Sequence, residues 1–308
     1  MTRKTVFYGK PVKGLIFLEK LAIEPGVATA RAVFLVLGSR RCGMTGQHVV
    51  LTLGRSGSNA LVNLLNQHPQ VLNYGEVLGD WNLIRKVQRR VGAFRGNDAA
   101  YLDFCLANPW GHRVAFAARA AQRRIKRRPR DGKRLSQVRQ IGIKDFASNF
   151  QGLGIADYLA QRPGIKVIGL ERENLLDRMI SNAMLEASGV VEIRAGQNGQ
   201  PDTQLRLEPQ EVLDALDVIE AENMALNHMI AGIPQERRMH IFYEDFFAGP
   251  ERTSAIMDEV HSFLGVDPYK PEVRMRKIVQ GHSIDRLANR DEVIEALKGT
   301  RFQRFIEA

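Results

Sequence analysis

Between His48 and Pro69 the sequence HVVLTLGRSGSNALVNLLNQHP runs a β-branched apolar stretch into Gly54-Arg55-Ser56-Gly57-Ser58 and then into residues of helical apolar spacing. Strand, tight loop and helix in that order form the opening of a βαβ crossover, which commits the chain to a parallel sheet more firmly than any other segment does. Glycines at 54 and 57 permit backbone conformations that side chains forbid, and they let backbone amides approach an anion closely. The helix that follows points its positive dipole end at the same place. Arg55 adds a fixed cation, and Ser56, Ser58 and Asn59 add donors. A Gly/Ser loop is by itself also an ordinary turn. The segment is shorter than the phosphate loop of nucleotide kinases, and no Gly-Lys-Ser/Thr occurs in the chain. An anion held here is therefore expected without an obligatory metal.

The alternation continues downstream. Strands are expected at His48 to Leu53, Gln140 to Lys144, Lys166 to Glu171 and Met239 to Tyr243. Helices are expected at Ser58 to Asn66, Ala156 to Gln161, Leu175 to Ala187, Pro209 to Ala231 and Thr253 to Leu264. Ser188 to Asp202, rich in Gly and polar residues, reads as a loop or short hairpin. The result is an α/β fold with a mainly parallel central sheet, carried by residues 44–308. Residues 1–43 fit the alternation poorly and read as a peripheral N-terminal extension, with an extra strand conceivable at Ala32 to Gly38.

Composition narrows the function classes. A chain of 308 residues with 44% hydrophobic residues can bury a sizeable core, and its two cysteines, Cys42 and Cys105, exclude a disulfide-built scaffold. Their spacing suggests no zinc site, so both read as idle thiols. The longest early apolar run, Ala32 to Gly38, is too short for a membrane span, and the Ser39-Arg40-Arg41-Cys42 after it does not suit a signal cleavage site. A cytoplasmic location is the expectation. Of the formal net charge of +10, RRIKRRPRDGKR from Arg123 to Arg134 supplies eight basic residues and one acid. That run is either a solvated surface or a landing site for an acidic partner such as a phosphorylated substrate or an acidic membrane face. It lacks interleaved aromatics, and no nucleic-acid partner is expected.

Four segments in order carry a family resemblance: GRSGSN with its helix and HPQVLNYGEVL; KVIGLERENLLDRMISNAML; IFYEDFFAGPERTSAIMDEVHSFLGVDP; and DRLANRDEVIEALKGTRFQRFI. Together they make the chain, from about residue 45 to its end, resemble sulfotransferases that use 3′-phosphoadenosine 5′-phosphosulfate, of the carbohydrate and bacterial glycolipid branch. The resemblance implies a P-loop-like three-layer αβα architecture and sulfuryl transfer to a hydroxyl of a carbohydrate or glycolipid. It implies that Gly54, Arg55, Ser56, Gly57, Ser58 and Asn59 hold the 5′ end of the co-substrate and that Arg172 and Ser181 hold its 3′-phosphate. It also implies no metal requirement. Three departures stand out: the loop carries arginine where the family has lysine, Arg172 and Ser181 are nine residues apart, and the Arg-Lys-Gly motif of the cytosolic branch is absent.

Sulfuryl transfer needs removal of the acceptor's proton and stabilisation of charge growing on the leaving phosphate oxygen. Arg55 with the loop amides suits the second task. Glu76, in NYGEVL, suits the first, with His68 in NQHPQ as the rival base. Arg172 could instead pair with Asp177 or Glu173. Arg178 lies on the same helical face as Ser181 and could support the anion. Lys144 closes its strand and should reach the open edge of the sheet. Tyr243, Glu244 and Asp245 read as architectural, while His240 and His282 read as surface or helix-end residues. Two other readings stand beside this one: a nucleotide-dependent phosphotransferase, and a non-catalytic basic scaffold that binds acidic surfaces.

Overall fold

The computed structural model describes residues 46–90, 92–109, 111–113, 115–116, 133–188, 204–272 and 283–306. Five strands, β1 (Gly46–Thr52), β2 (Val71–Asn73), β3 (Gln140–Phe146), β4 (Ile165–Glu171) and β5 (Arg238–Phe242), form one all-parallel sheet in the order β2-β3-β1-β4-β5. Parallel strands covered on both faces need near-continuous apolar sequence, and every residue of β3 is buried. Helix α1 (Ser58–Leu65) follows β1. Next come α2 (Leu83–Arg90), α3 (Asp98–Ala107), α4 (Ala147–Gly152), α5 (Leu175–Ser188), α6 (Pro209–Ala231), α7 (Tyr243–Phe246), α8 (Pro250–Leu264) and α9 (Arg290–Leu297).

The alternation of side chains along β1 divides the core. Val49 and Leu51 face Leu102, Phe150, Leu226 and Ile230 of α3, α4 and α6, whereas Val50 faces Leu61, Leu65, Met257 and Val260 of α1 and α8. Each such fully buried side chain contributes about 1.5–3 kcal/mol. The three-layer α/β architecture with a parallel central sheet, expected from the sequence, is the one adopted. A further apolar cluster joins α5, α6 and α9 through Ile180, Leu216, Val293 and Leu297. Among the described residues no helix is long and apolar enough to cross a membrane.

The four expected strands and the helix Pro209–Ala231 are present, their ends moved by at most two residues. The helix expected at Ala156 to Gln161 is not. After β3 the chain enters α4 at once, and Ala156–Tyr158 is only a single 3-10 turn. Asp145 explains the early start, because its Oδ1 accepts from the Phe146 amide at 3.0 Å and from Asn149 Nδ2 at 2.6 Å, across the first turn. Strand β2 escapes a periodicity reading because three residues carry none. The expected extension at 1–43, its candidate strand and residues 123–132 of the basic run lie outside the described residues, as do 189–202 of the expected loop; Ser188 itself ends α5.

Candidate functional site

Ligands of open α/β sheets bind beyond the carboxyl ends of the strands, where neighbouring connections leave in opposite directions. In this sheet that point lies beyond β1, flanked by β3 and β4. Thr52 Oγ1 donates to the Leu170 carbonyl at 2.8 Å and ties the ends of β1 and β4 together. The chain then turns through residues 54–57. Arg55 takes φ 63 and Gly57 φ 74, both left-handed, and for the arginine this conformation costs about 1–2 kcal/mol. Strain of that kind persists where surrounding contacts impose it, and it concentrates at binding sites. No acceptor among the described residues takes the amide of Ser56, Gly57, Ser58 or Asn59. The Ser56 side chain is fully buried, and its Oγ has no hydrogen-bond partner among the described residues.

Two basic side chains close over this loop. Arg55 Nε donates to Ser181 Oγ on α5 at 3.0 Å. Arg172, just past β4, donates Nη1 to the Arg55 carbonyl at 3.4 Å, pairs Nη2 with Asp177 Oδ2 at 2.7 Å and lies 4.3 Å over the Tyr243 ring. Its Nε is buried without a partner among the described residues. The glycine-rich loop and the Arg172–Ser181 pair therefore form one cluster, although Asp177 also takes the ion pair that the sequence allowed. Burial, and after it the neighbouring Arg172 charge, holds the Arg55 guanidinium below its ordinary range, with Tyr243 acting in the opposite direction. Like charges at close quarters, beside unpaired amides, favour an anion between them.

Register explains why Tyr243 belongs here. Leu170 pairs with Ile241 and Glu171 with Phe242, so the next residues on the two strands, Arg172 and Tyr243, leave on the same face. Glu244 is architectural: its carboxylate accepts from the amides of Glu173 and Asn174 at 3.1 and 3.0 Å. Asp245 pairs with Arg252. The contact of Tyr243 with Arg172 exists only across strands, and no local pattern announces it.

Glu76 follows β2 at the same carboxyl edge, where the Gly75 carbonyl accepts from the Lys144 amide at 3.0 Å. Lys144 Nζ pairs with Glu76 Oε1, and Oε2 has no bond among the described residues. The lysine expected near the open edge thus steadies the expected base. Asp145 fixes the backbone just beyond, accepting from the amides of Val77 and Leu78 at 2.9 and 2.8 Å. His68 does not compete. It precedes β2, at the opposite edge of the sheet, its Nε2 is bonded to the Asp267 carbonyl at 2.7 Å, and its Nδ1 accepts from the Gln70 amide at 3.0 Å. His240 Nε2 lies 3.2 Å from Glu171 Oε2, and His282 lies outside the described residues, as does Cys42. Cys105 is a free thiol pushed up by burial to about 12. Lys133, at the end of the basic run, donates inward to the His68 carbonyl at 2.9 Å. Among the described residues no group of three His, Cys, Asp or Glu is placed to hold a metal ion.

The chain is similar to bacterial sulfotransferases. A sulfotransferase from Alicyclobacillus acidocaldarius superposes with a TM-score of 0.42 at 17% identity, over 83% of this chain and 95% of that one. The sulfotransferase domain of the curacin biosynthetic pathway gives 0.39 at 15% identity, over 86% and 83%. The sulfotransferase domain of the Synechococcus PCC 7002 olefin synthase gives 0.38 at 16%, over 76% and 80%. No protein-family model matches the sequence, and no curated protein does.

Proposed function

We propose that this chain transfers the sulfuryl group of 3′-phosphoadenosine 5′-phosphosulfate to a hydroxyl of a carbohydrate or glycolipid. The observation that carries this reading is the meeting of two sequence-distant anion motifs, through Arg55 Nε on Ser181 Oγ at 3.0 Å and Arg172 Nη1 on the Arg55 carbonyl at 3.4 Å. A co-substrate with an anionic group at each end fits two adjoining donor sets. One is the amides of residues 56–59 with the orphaned Ser56 hydroxyl; the other is Ser181 with Arg172, whose Nε is also orphaned. Residues 54–59 would hold the 5′ end, and Arg172 with Ser181 the 3′-phosphate.

The co-substrate supplies an electrophilic sulfur whose bond to the 5′-phosphate breaks as the acceptor oxygen attaches. The loop donors and Arg55 stabilise the charge that passes to that phosphate oxygen, and such preorganised donors are commonly the largest catalytic contribution. Glu76, held through Oε1 by Lys144, takes the acceptor's proton on its other oxygen. The test is transfer of radiolabel from the donor onto a panel of sugars, glycolipids and lipid extracts, beside calorimetry with adenosine 3′,5′-bisphosphate. Wild type should bind the bisphosphate and label an acceptor. Glu76→Gln should bind it equally and lose about 10²–10⁴-fold in turnover. Binding of ATP with magnesium and none of the bisphosphate would instead favour the phosphotransferase.

A further inference from the structure

Arg178, on α5, is buried and points three of its nitrogens at fixed partners. Nε donates to the Gly54 carbonyl at 3.0 Å, Nη1 donates to Asn223 Oδ1 at 2.9 Å, and Nη2 pairs with Glu222. Asn223, buried on α6, donates in turn to Glu171 Oε1 at 2.9 Å and to the Arg172 carbonyl at 3.0 Å. One run of hydrogen bonds thus joins the loop after β1 to the end of β4 through two helices. A planar guanidinium can serve three partners at set angles, which the single ammonium of lysine cannot reproduce.

The Gly54–Arg55 peptide is trans, so its N–H points opposite to its carbonyl. With that carbonyl drawn toward Arg178, the Arg55 amide is turned the other way. The next carbonyl, that of Arg55, is drawn toward Arg172, which turns the Ser56 amide away from Arg172 in the same manner. Nothing lies within 4 Å of where a Gly54 Cβ would stand, and glycine tolerates either sense of rotation. A flip of this peptide would also relax the left-handed strain at Arg55. The bond from Arg178 opposes both tendencies.

We propose that Arg178, anchored by Asn223, is a positioning residue that holds the Gly54 carbonyl and so fixes the peptide that leads into the loop, whose amides at 56–59 would hold the anion bound there. The inference rests on the sulfotransferase reading insofar as that anion is the 5′-phosphate. It is tested on the full chain by calorimetry with adenosine 3′,5′-bisphosphate and with adenosine 3′-monophosphate, which lacks the group the loop would hold. Arg178→Lys should weaken the bisphosphate by about tenfold and the monophosphate by less than about twofold, the tenfold corresponding to about 1.4 kcal/mol. Turnover should fall with kcat while the KM of the acceptor holds, because the loop acts on the leaving phosphate and not on the acceptor. Asn223→Ser, which leaves the guanidinium in place, should shift the same ratio in the same direction by less, and it carries the test should Arg178→Lys fail to melt cooperatively. Equal weakening of both ligands, or no change in either, overturns the proposal. Wild type that binds no bisphosphate overturns the sulfotransferase reading with it, whereas wild-type binding with an unchanged ratio removes only the role of Arg178.

Discussion

Gly57 shows how a single position joins fold and site. It takes φ 74, and a Cβ there would stand 2.5 Å from Phe247 Cε2 and 2.9 Å from Tyr243 Cδ2. Gly57→Ala therefore combines backbone strain with displacement of the ring that lies under Arg172. Its expected cost is about 2–4 kcal/mol. For a chain of this size that lowers Tm by roughly 3–6 °C, and thermal denaturation that leaves Tm unchanged refutes it. The local motif marks Gly54, Arg55, Ser56, Gly57, Ser58 and Asn59 as a candidate anion loop in the sequence alone, since strand, loop and helix are contiguous. The bond from Arg55 to Ser181 spans 126 residues of sequence, and the pair Lys144–Glu76 spans 68. No local pattern encodes contacts of that kind.

Among the elements, the end of β3 carries the most consequence. Asp145 is fully buried and accepts four hydrogen bonds: two from the amides just after Glu76, one from Phe146 and one from Asn149. Asp145→Asn keeps one accepting oxygen and sets an amide donor against backbone donors. A loss of roughly 3 kcal/mol, seen as a fall of about 5 °C in Tm, is the expected outcome. Turnover should fall as well, because the segment that carries Glu76 loses its anchor, and full activity with an unshifted melt would rule this account out. This carboxylate also explains the misplaced helix. Residues 147–152 hold too few turns for apolar periodicity to reveal, and the helix begins there because Asp145 organises its first turn. By contrast α6, with Pro209 at its start and Gly232 at its end, advertises both boundaries in its sequence.

At the scale of the whole molecule, acid should act through histidines packed without charge. Burial lowers His261 from 6.5 to about 4, with His68 adding to the shift and Asp258 opposing it. The His261 ring sits 4.8 Å from that of His68 and 6.4 Å from that of Tyr269. His48, buried in β1, falls to about 3. Below pH 6.5 the unfolded chain takes up protons that the folded one refuses, so stability is full above that value and declines as the pH drops toward the folded pKa. Each such group can contribute up to about 1.4 kcal/mol per pH unit in that window. His261→Phe should lose less stability than wild type between pH 7 and pH 5 in denaturant titrations, and parallel losses would contradict the assignment. Four of the five strands, the long helix α6 and the loop after β1 were decided by local chemistry: apolar period, glycine and helix-boundary residues act over a few neighbours, so the chain states them in one dimension. Which side chains meet at the loop was decided only by the sheet order β2-β3-β1-β4-β5, which sets β3 and β4 on either side of β1 and so gathers Glu76, Lys144, Arg172, Arg178 and Tyr243 along one carboxyl edge. Strand order is a collective result of burying both faces at once, and no single stretch of sequence contains it.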